Sequence, residues 1–97
     1  MADIDTVVHD EAGSRFVLRR GDRELGETVY VTKPDGGIVF THTEVDQELQ
    51  ERGLGSKLVG GALDQLRTST TARIGATCPF VRKYLETHPE YQDLTTR

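Results

Sequence analysis

Cysteine is almost missing from this chain: Cys78 is the only one among 97 residues. A single thiol excludes an intrachain disulfide and any zinc or iron–sulfur site that needs several cysteines. His9, His42 and His88 show no paired ligand spacing, so no metal site is expected. Long apolar runs are missing as well. The longest stretch free of polar side chains is residues 58–63, against the ~20 residues that a membrane span requires. The start, Met1-Ala2-Asp3-Ile4-Asp5, is acidic and carries no secretory apolar segment. A soluble cytoplasmic protein without a membrane partner is the expectation. Excess base is also absent: 12 Lys+Arg stand against 16 Asp+Glu, a net charge of −4. Nucleic acid is therefore a poor partner, since phosphate neutralisation needs clustered positive charge. One small anion could still be held locally. There is no internal repeat and no low-complexity tract.

What is present suffices for one folded unit. The chain is 35% hydrophobic and 29% charged, which separates it from disordered sequences. A chain of this length buries somewhat more than ~60% of its unfolded surface, enough for one modest core. A single domain over residues 1–97 is expected, as a monomer or weak homodimer.

Turn signals divide the first half. Glu11-Ala12-Gly13 separates residues 6–9 from residues 14–20, where Phe16 and Leu18 alternate with Arg15, Val17 and Arg19. Gly21-Asp22 reads as a hairpin turn, followed by residues 24–33. Pro34-Asp35-Gly36-Gly37 is a strong turn, because proline presets one dihedral and glycine accepts positive φ. Residues 38–45 form a further β-type run. These segments predict an antiparallel meander. The period then changes: Leu58, Val59, Ala62, Leu63 and Leu66 make an apolar helical stripe within about residues 55–69. Gly60 and Gly61 interrupt it and weaken it by ~1 kcal/mol each relative to alanine. Residues 72–77 read as a short strand. Pro79 opens a second helix through Val81, Tyr84, Leu85 and His88, which Pro89 ends. The order β-β-β-β-α-β-α implies a mixed α/β sheet. Its β-α-β step predicts a parallel pair between residues 38–45 and 72–77.

The most informative segment is Gln50-Glu51-Arg52-Gly53-Leu54-Gly55-Ser56-Lys57, between a strand and an amphipathic helix. Glycines there allow tight turning and close approach of a ligand. Helix N-terminal amides attract anions, and Arg52 and Lys57 add positive charge. A Walker loop fails, because Ser56 separates Gly55 from Lys57. A dinucleotide fingerprint fails, because Leu58 stands at the third glycine position and the loop follows hairpin strands. A plain glycine-rich helix start is the bland alternative.

Cys78 follows a strand and precedes Pro79, which puts it at a helix N-terminus, where the thiolate is favoured. The alternative is a buried, inert cysteine. His42 has the parity of Ile38 and Phe40, so it is expected on their face, as a base toward Cys78 or an amine or as a structural histidine. Glu44 shares that parity and could hold a proton-accepting water, or be a solvated strand end. Arg15, Arg19, Arg20 and Arg23 read as a solvated basic hairpin. Arg82 and Lys83 read as a solvated helix face or as partners of a 3′-phosphate. Tyr84 and Tyr91 read as packing residues, Tyr84 being the better placed to act as an acid.

These segments together resemble the GNAT acetyltransferase superfamily, and more closely its small, roughly hundred-residue members. The resemblance rests on His42-Thr43-Glu44-Val45, on Gln50-x-x-Gly53-x-Gly55, on Cys78-Pro79-Phe80-Val81 and on His88-Pro89-Glu90-Tyr91. It implies a minimal GNAT-like fold whose central parallel strands splay apart. It also implies that CoA threads its pantetheine arm into the splay beside Val45. The pyrophosphate would rest on Gln50, Arg52, Gly53, Leu54, Gly55, Ser56 and Lys57, and Cys78 would lie near the thioester. Acetyl-CoA or another short acyl-CoA is then the cofactor and an amine of unknown identity the acceptor. The reaction is acyl transfer, by direct attack or through an acyl-Cys78 intermediate. Backbone amides late in residues 38–45 would polarise the thioester carbonyl. The chain departs from ordinary GNAT enzymes in having no helices between its first two strands. A non-catalytic CoA-binding module and a protein-interaction domain are the alternatives.

Overall fold

The computed structural model describes residues 4–46 and 53–97. Strands β1 (Asp5–Asp10), β2 (Arg15–Arg20), β3 (Arg23–Thr32) and β4 (Ile38–Val45) follow one another as an antiparallel meander. Helix α1 (Leu54–Ser69) then crosses the sheet to β5 (Ile74–Ala76). The sheet order is β1-β2-β3-β4-β5. β5 lies parallel to β4, with Ile38 opposite Ile74 and Phe40 opposite Ala76, as the strand–helix–strand order implies. Helix α2 (Pro79–Thr87), a 3₁₀ turn (Pro89–Tyr91) and the short α3 (Gln92–Thr95) complete the chain. No helix among the described residues is long and apolar enough to cross a membrane.

The core follows from the two periodicities. Phe16, Leu18, Tyr30 and Phe40 point from the sheet to one face, and Leu58, Val59, Ala62, Leu63 and Leu66 return that face from α1. Each fully buried side chain of this size contributes roughly 1.5–3 kcal/mol. The helix-weakening glycines of α1 have a packing reason. A Cβ on Gly61 would stand 2.5 Å from Val7 Cγ2, and one on Gly60 would stand 2.6 Å from the Tyr84 hydroxyl oxygen. Close approach of β1 and α2 requires both to be glycine. His9 stacks on Phe16 at 4.1 Å between ring centres and shares a 2.8 Å hydrogen bond with the Tyr30 hydroxyl. That histidine closes one end of the core.

Two sequence expectations need correction. β5 is Ile74–Ala76, shorter than residues 72–77: ahead of it the Arg97 guanidinium takes the carbonyls of Thr70 and Ala72, and after it Thr77 and Cys78 both donate to the Phe40 carbonyl as the chain leaves the sheet. Helix α2 does end ahead of Pro89, at Thr87 with His88 as its cap, and a 3₁₀ turn and α3 follow that the sequence reading did not anticipate. The strand parity also breaks. Tyr30 pairs with Phe40 but Val29 with His42, so Thr41 is an extra residue, a β-bulge in β4. Past it the faces exchange. Thr43 and Val45 turn inward, and His42 and Glu44 turn outward rather than onto the face of Phe40.

Truncating a central α1 side chain tests this packing. Leu63 is fully buried, so Leu63→Ala is expected to lower stability by roughly 2–5 kcal/mol in urea titrations. A loss below about 1 kcal/mol would mean that α1 does not carry the core.

Candidate functional site

The parallel pair ends abruptly. The Phe40 carbonyl accepts the amides of both Thr77 (2.9 Å) and Cys78 (3.1 Å). Pro79 has no amide hydrogen and suits the first turn of a helix, so the chain leaves the sheet there. β4 continues to Val45 without β5 alongside. The two strands therefore part at Phe40. Beyond that point lies an open recess of about 480 Å³, lined by His42, Thr43, Glu44 and Val45 of β4, by Gly53, Leu54 and Gly55 of α1, and by Phe80 of α2.

The first turn of α1 forms one wall. Gly53 is its N-cap at φ 82°, the left-handed region where glycine is favoured. Among the described residues no side chain caps the amides that follow, and the first turn holds no carboxylate. Free N–H groups and an unopposed helix dipole face that end. A Cβ on Gly53 would meet nothing within 4 Å, whereas one on Gly55 would stand 2.6 Å from the Phe80 ring. The two glycines thus serve different ends: the first sets the turn and the second seats an aromatic ring. Leu54 is buried in the core and offers only its backbone. Ser56 is exposed. Lys57 is engaged, its Nζ 2.9 Å from Asp5 Oδ2. Arg20 also holds that carboxylate, at 2.7 and 3.0 Å, and these hydrogen bonds from Arg20 and then Lys57 keep the Asp5 carboxyl well below the usual range. Gln50 and Arg52 lie outside the described residues.

Cys78 caps α2 with an extended backbone and is buried, 5% exposed. Its thiol donates to Thr43 Oγ1 at 3.5 Å, and Thr43 Oγ1 lies 2.9 Å from Thr28 Oγ1. Thr28 Oγ1 in turn donates to the His42 carbonyl at 3.4 Å, and Thr28 is fully buried. Cys78 thus reaches the recess through Thr43, which lines it. The sequence reading missed both threonines. The available signal was that they oppose each other across β3 and β4, but the bulge hides this from simple alternation. His42 and Glu44 stand together on the outer side, 61% and 68% exposed, with Nε2 and Oε2 3.8 Å apart. The structure brings them to the recess but not to the Cys78 sulfur. Tyr84 points elsewhere: its hydroxyl lies over Gly60, and its ring lies 5.9 Å from that of Tyr91, which donates to Asp64 at 2.8 Å. Burial pushes the Tyr84 phenol upward.

The threonine pair should behave as one unit. Thr28→Val is expected to cost about 1–3 kcal/mol, because it removes the nearest partner of Thr43 from a buried chain of hydroxyls. In Thr28→Val/Thr43→Val the loss should be clearly smaller than the sum of the single losses. Strictly additive losses in denaturant titrations would show that the two hydroxyls are not coupled.

Comparison with known proteins agrees with this geometry. The solution NMR structure of a GCN5-like candidate N-acetyltransferase from Staphylococcus aureus superposes with a TM-score of 0.67. The two share 28% identity, over 91% of this chain and 84% of the other. No curated protein matches the chain. A family model described as GCN5-related N-acetyl-transferase matches residues 15–94, which include the last three meander strands, the α1 turn and Cys78. The chain belongs to the GCN5-related N-acetyl-transferase family.

Proposed function

We propose that this protein transfers a short acyl group, such as acetyl, from acyl-CoA to an amine. The observation that carries the reading is the parting of β4 and β5 at Phe40, with the uncapped start of α1 at its mouth. The residues fit the cofactor's chemistry. A pyrophosphate needs donors and no opposing carboxylate, and the amides after Gly53 supply this, with Ser56, Lys57, Gln50 and Arg52 nearby in the chain. Residues 41–44, which run past the last residue of β5, give the pantetheine amides a strand edge about 13 Å long at ~3.3 Å per residue. The acyl group would then reach the point where the strands separate, beside Thr43 and Cys78.

Two routes use the same place. In the covalent route the Cys78 thiolate adds to the thioester carbonyl and the bond to the CoA sulfur breaks. CoA leaves as a thiol, carrying the proton that Cys78 gave up. The amine then attacks the acyl-cysteine, and the proton it loses returns to the Cys78 sulfur. In the direct route the amine attacks the thioester itself and its proton goes to the departing CoA thiolate. Thr43 can turn its hydroxyl toward a Cys78 thiolate, with Thr28 donating behind it. His42, with Glu44 beside it, serves as the base that takes the amine proton toward solvent. Backbone amides late in β4 polarise the carbonyl. A CoA-binding module without catalysis is favoured by one observation only: β1 and β2 are joined by a short turn at residues 11–14, where no helix stands to wall an acceptor pocket.

Mass spectrometry after incubation with acetyl-CoA, together with thiol-release assays on a panel of amines, separates these readings. The covalent route is expected to leave one acetyl group on the native protein, and Cys78→Ser to remove nearly all turnover. Direct attack would leave no adduct and spare Cys78→Ser. Binding without turnover on any amine would leave the silent module. Gly53→Val is expected to weaken CoA about 10-fold or more, roughly 1.4 kcal/mol, by straining the left-handed turn. Unchanged CoA affinity in that folded variant would place the anion site elsewhere.

A further inference from the structure

Among the described residues, the helices cover only one face of the sheet. Side chains of α1, α2 and α3 share a single core with Phe16, Leu18, Tyr30 and Phe40. On the opposite face five valines lie outside that core: Val8, Val17, Val29, Val31 and Val39. Strand pairing makes them neighbours. Val8 stands opposite Val17 and Val31 opposite Val39, and Val29 lies diagonal to Val17 because it pairs with Arg15. The stripe crosses the sheet from β1 to β4 and ends at Gly75 of β5, which pairs with Val39 and where a Cβ would meet nothing within 4 Å. Val8 is 45% exposed and Val31 50%. A sheet face turned to water ordinarily carries polar residues, and this one carries a row of valines.

The charges beside the stripe pair within the same face. Arg15 holds Asp10 and Glu27, each at 2.9 Å, Arg19 lies 3.8 Å from Glu24, and His42 lies 3.8 Å from Glu44. Such a face offers little field to a strongly charged partner, whereas a rotated copy of itself meets both signs and an equal valine row. Sheets pack face to face in this way about 10 Å apart. At ~3.3 Å per residue and ~4.8 Å between strands, the five strands present on the order of 500 Å² per copy. Two copies bury about 1,000 Å², the lower bound of specific interfaces, so their association is weak and concentration-dependent.

We propose that a second copy of this chain seats on the outer face of the sheet, valine stripe against valine stripe. His42 and Glu44 project from that face at the mouth of the opening between β4 and β5. A copy lying over them supplies the acceptor wall that the short β1–β2 turn leaves missing. This last consequence rests on the acyl-transfer reading above; the association itself does not.

Sedimentation equilibrium of the native chain up to about 1 mM tests the pairing. A reversible monomer–dimer equilibrium is expected. Val8→Glu and Val31→Glu change exposed residues of the single chain, so the fold is kept, but each places a charge inside the stripe. Each should raise the dissociation constant at least about 10-fold. Ser69→Glu, which sets the same charge on an exposed residue at the end of α1, should leave it unchanged. A strictly monomeric native protein, or a loss in Ser69→Glu as large as in the valine variants, overturns the interface. Thiol release with an amine that responds then tests the wall. Turnover per chain should rise with association and fall in Val31→Glu, which should still bind CoA as the native protein does. Turnover per chain that ignores association overturns the wall while the dimer stands. If no amine responds, the acyl-transfer reading falls, and sedimentation alone decides the interface.

Discussion

One carbonyl decides where this sheet opens. Phe40 oxygen takes the last two amides that the β5 side can offer, and Pro79 has none to add. The ladder stops, α2 begins, and residues 41–44 of β4 run on without β5 beside them. A backbone edge of this kind is ordinarily a liability. Here it lies inside a recess, where a ligand carrying amide groups of its own can pair with it.

The rest of the site follows from that opening. The bulge at Thr41 rotates the end of β4, so that Thr43 meets Cys78 and His42 turns to solvent. Thiol and imidazole are thereby separated, in contrast to the direct pairing that strand parity implied. Thr28, fully buried, is satisfied across the strands, by the Thr43 hydroxyl and the His42 carbonyl. At the other wall, Gly53 in a left-handed turn starts α1 without a capping side chain. Among the described residues no side chain competes for its amides.

Much of this was legible in the sequence. The turns at Gly21-Asp22 and Pro34–Gly37 carry local chemistry, so the meander could be read directly. The apolar stripe of α1 repeats over several turns, and the parallel pairing follows from handedness once strand, helix and strand are ordered. The rest depends on long-range contacts. The bulge is a property of the β3–β4 register and leaves no mark at Thr41 itself. Lys57 looked like a free cation at the loop, but Asp5, far off in sequence, holds it. Gly55 looked like a place for a ligand to approach and proves to be the seat of Phe80. The shortening of β5 involves Arg97, far off in sequence, which takes the Thr70 and Ala72 carbonyls, and the shared Phe40 carbonyl at the other end. The 3₁₀ turn and α3 are too short to show a period.

The most direct measurement is a titration of isotopically labelled protein with CoA, followed through its backbone amide resonances. Amides of residues 41–45, of residues 53–57 and of residues 77–80 are expected to shift together, marking the strand edge, the α1 turn and the point where the chain leaves the sheet. Saturable shifts confined to the exposed outer face of β1 to β3, or no shifts at all, would contradict binding in the opening between β4 and β5.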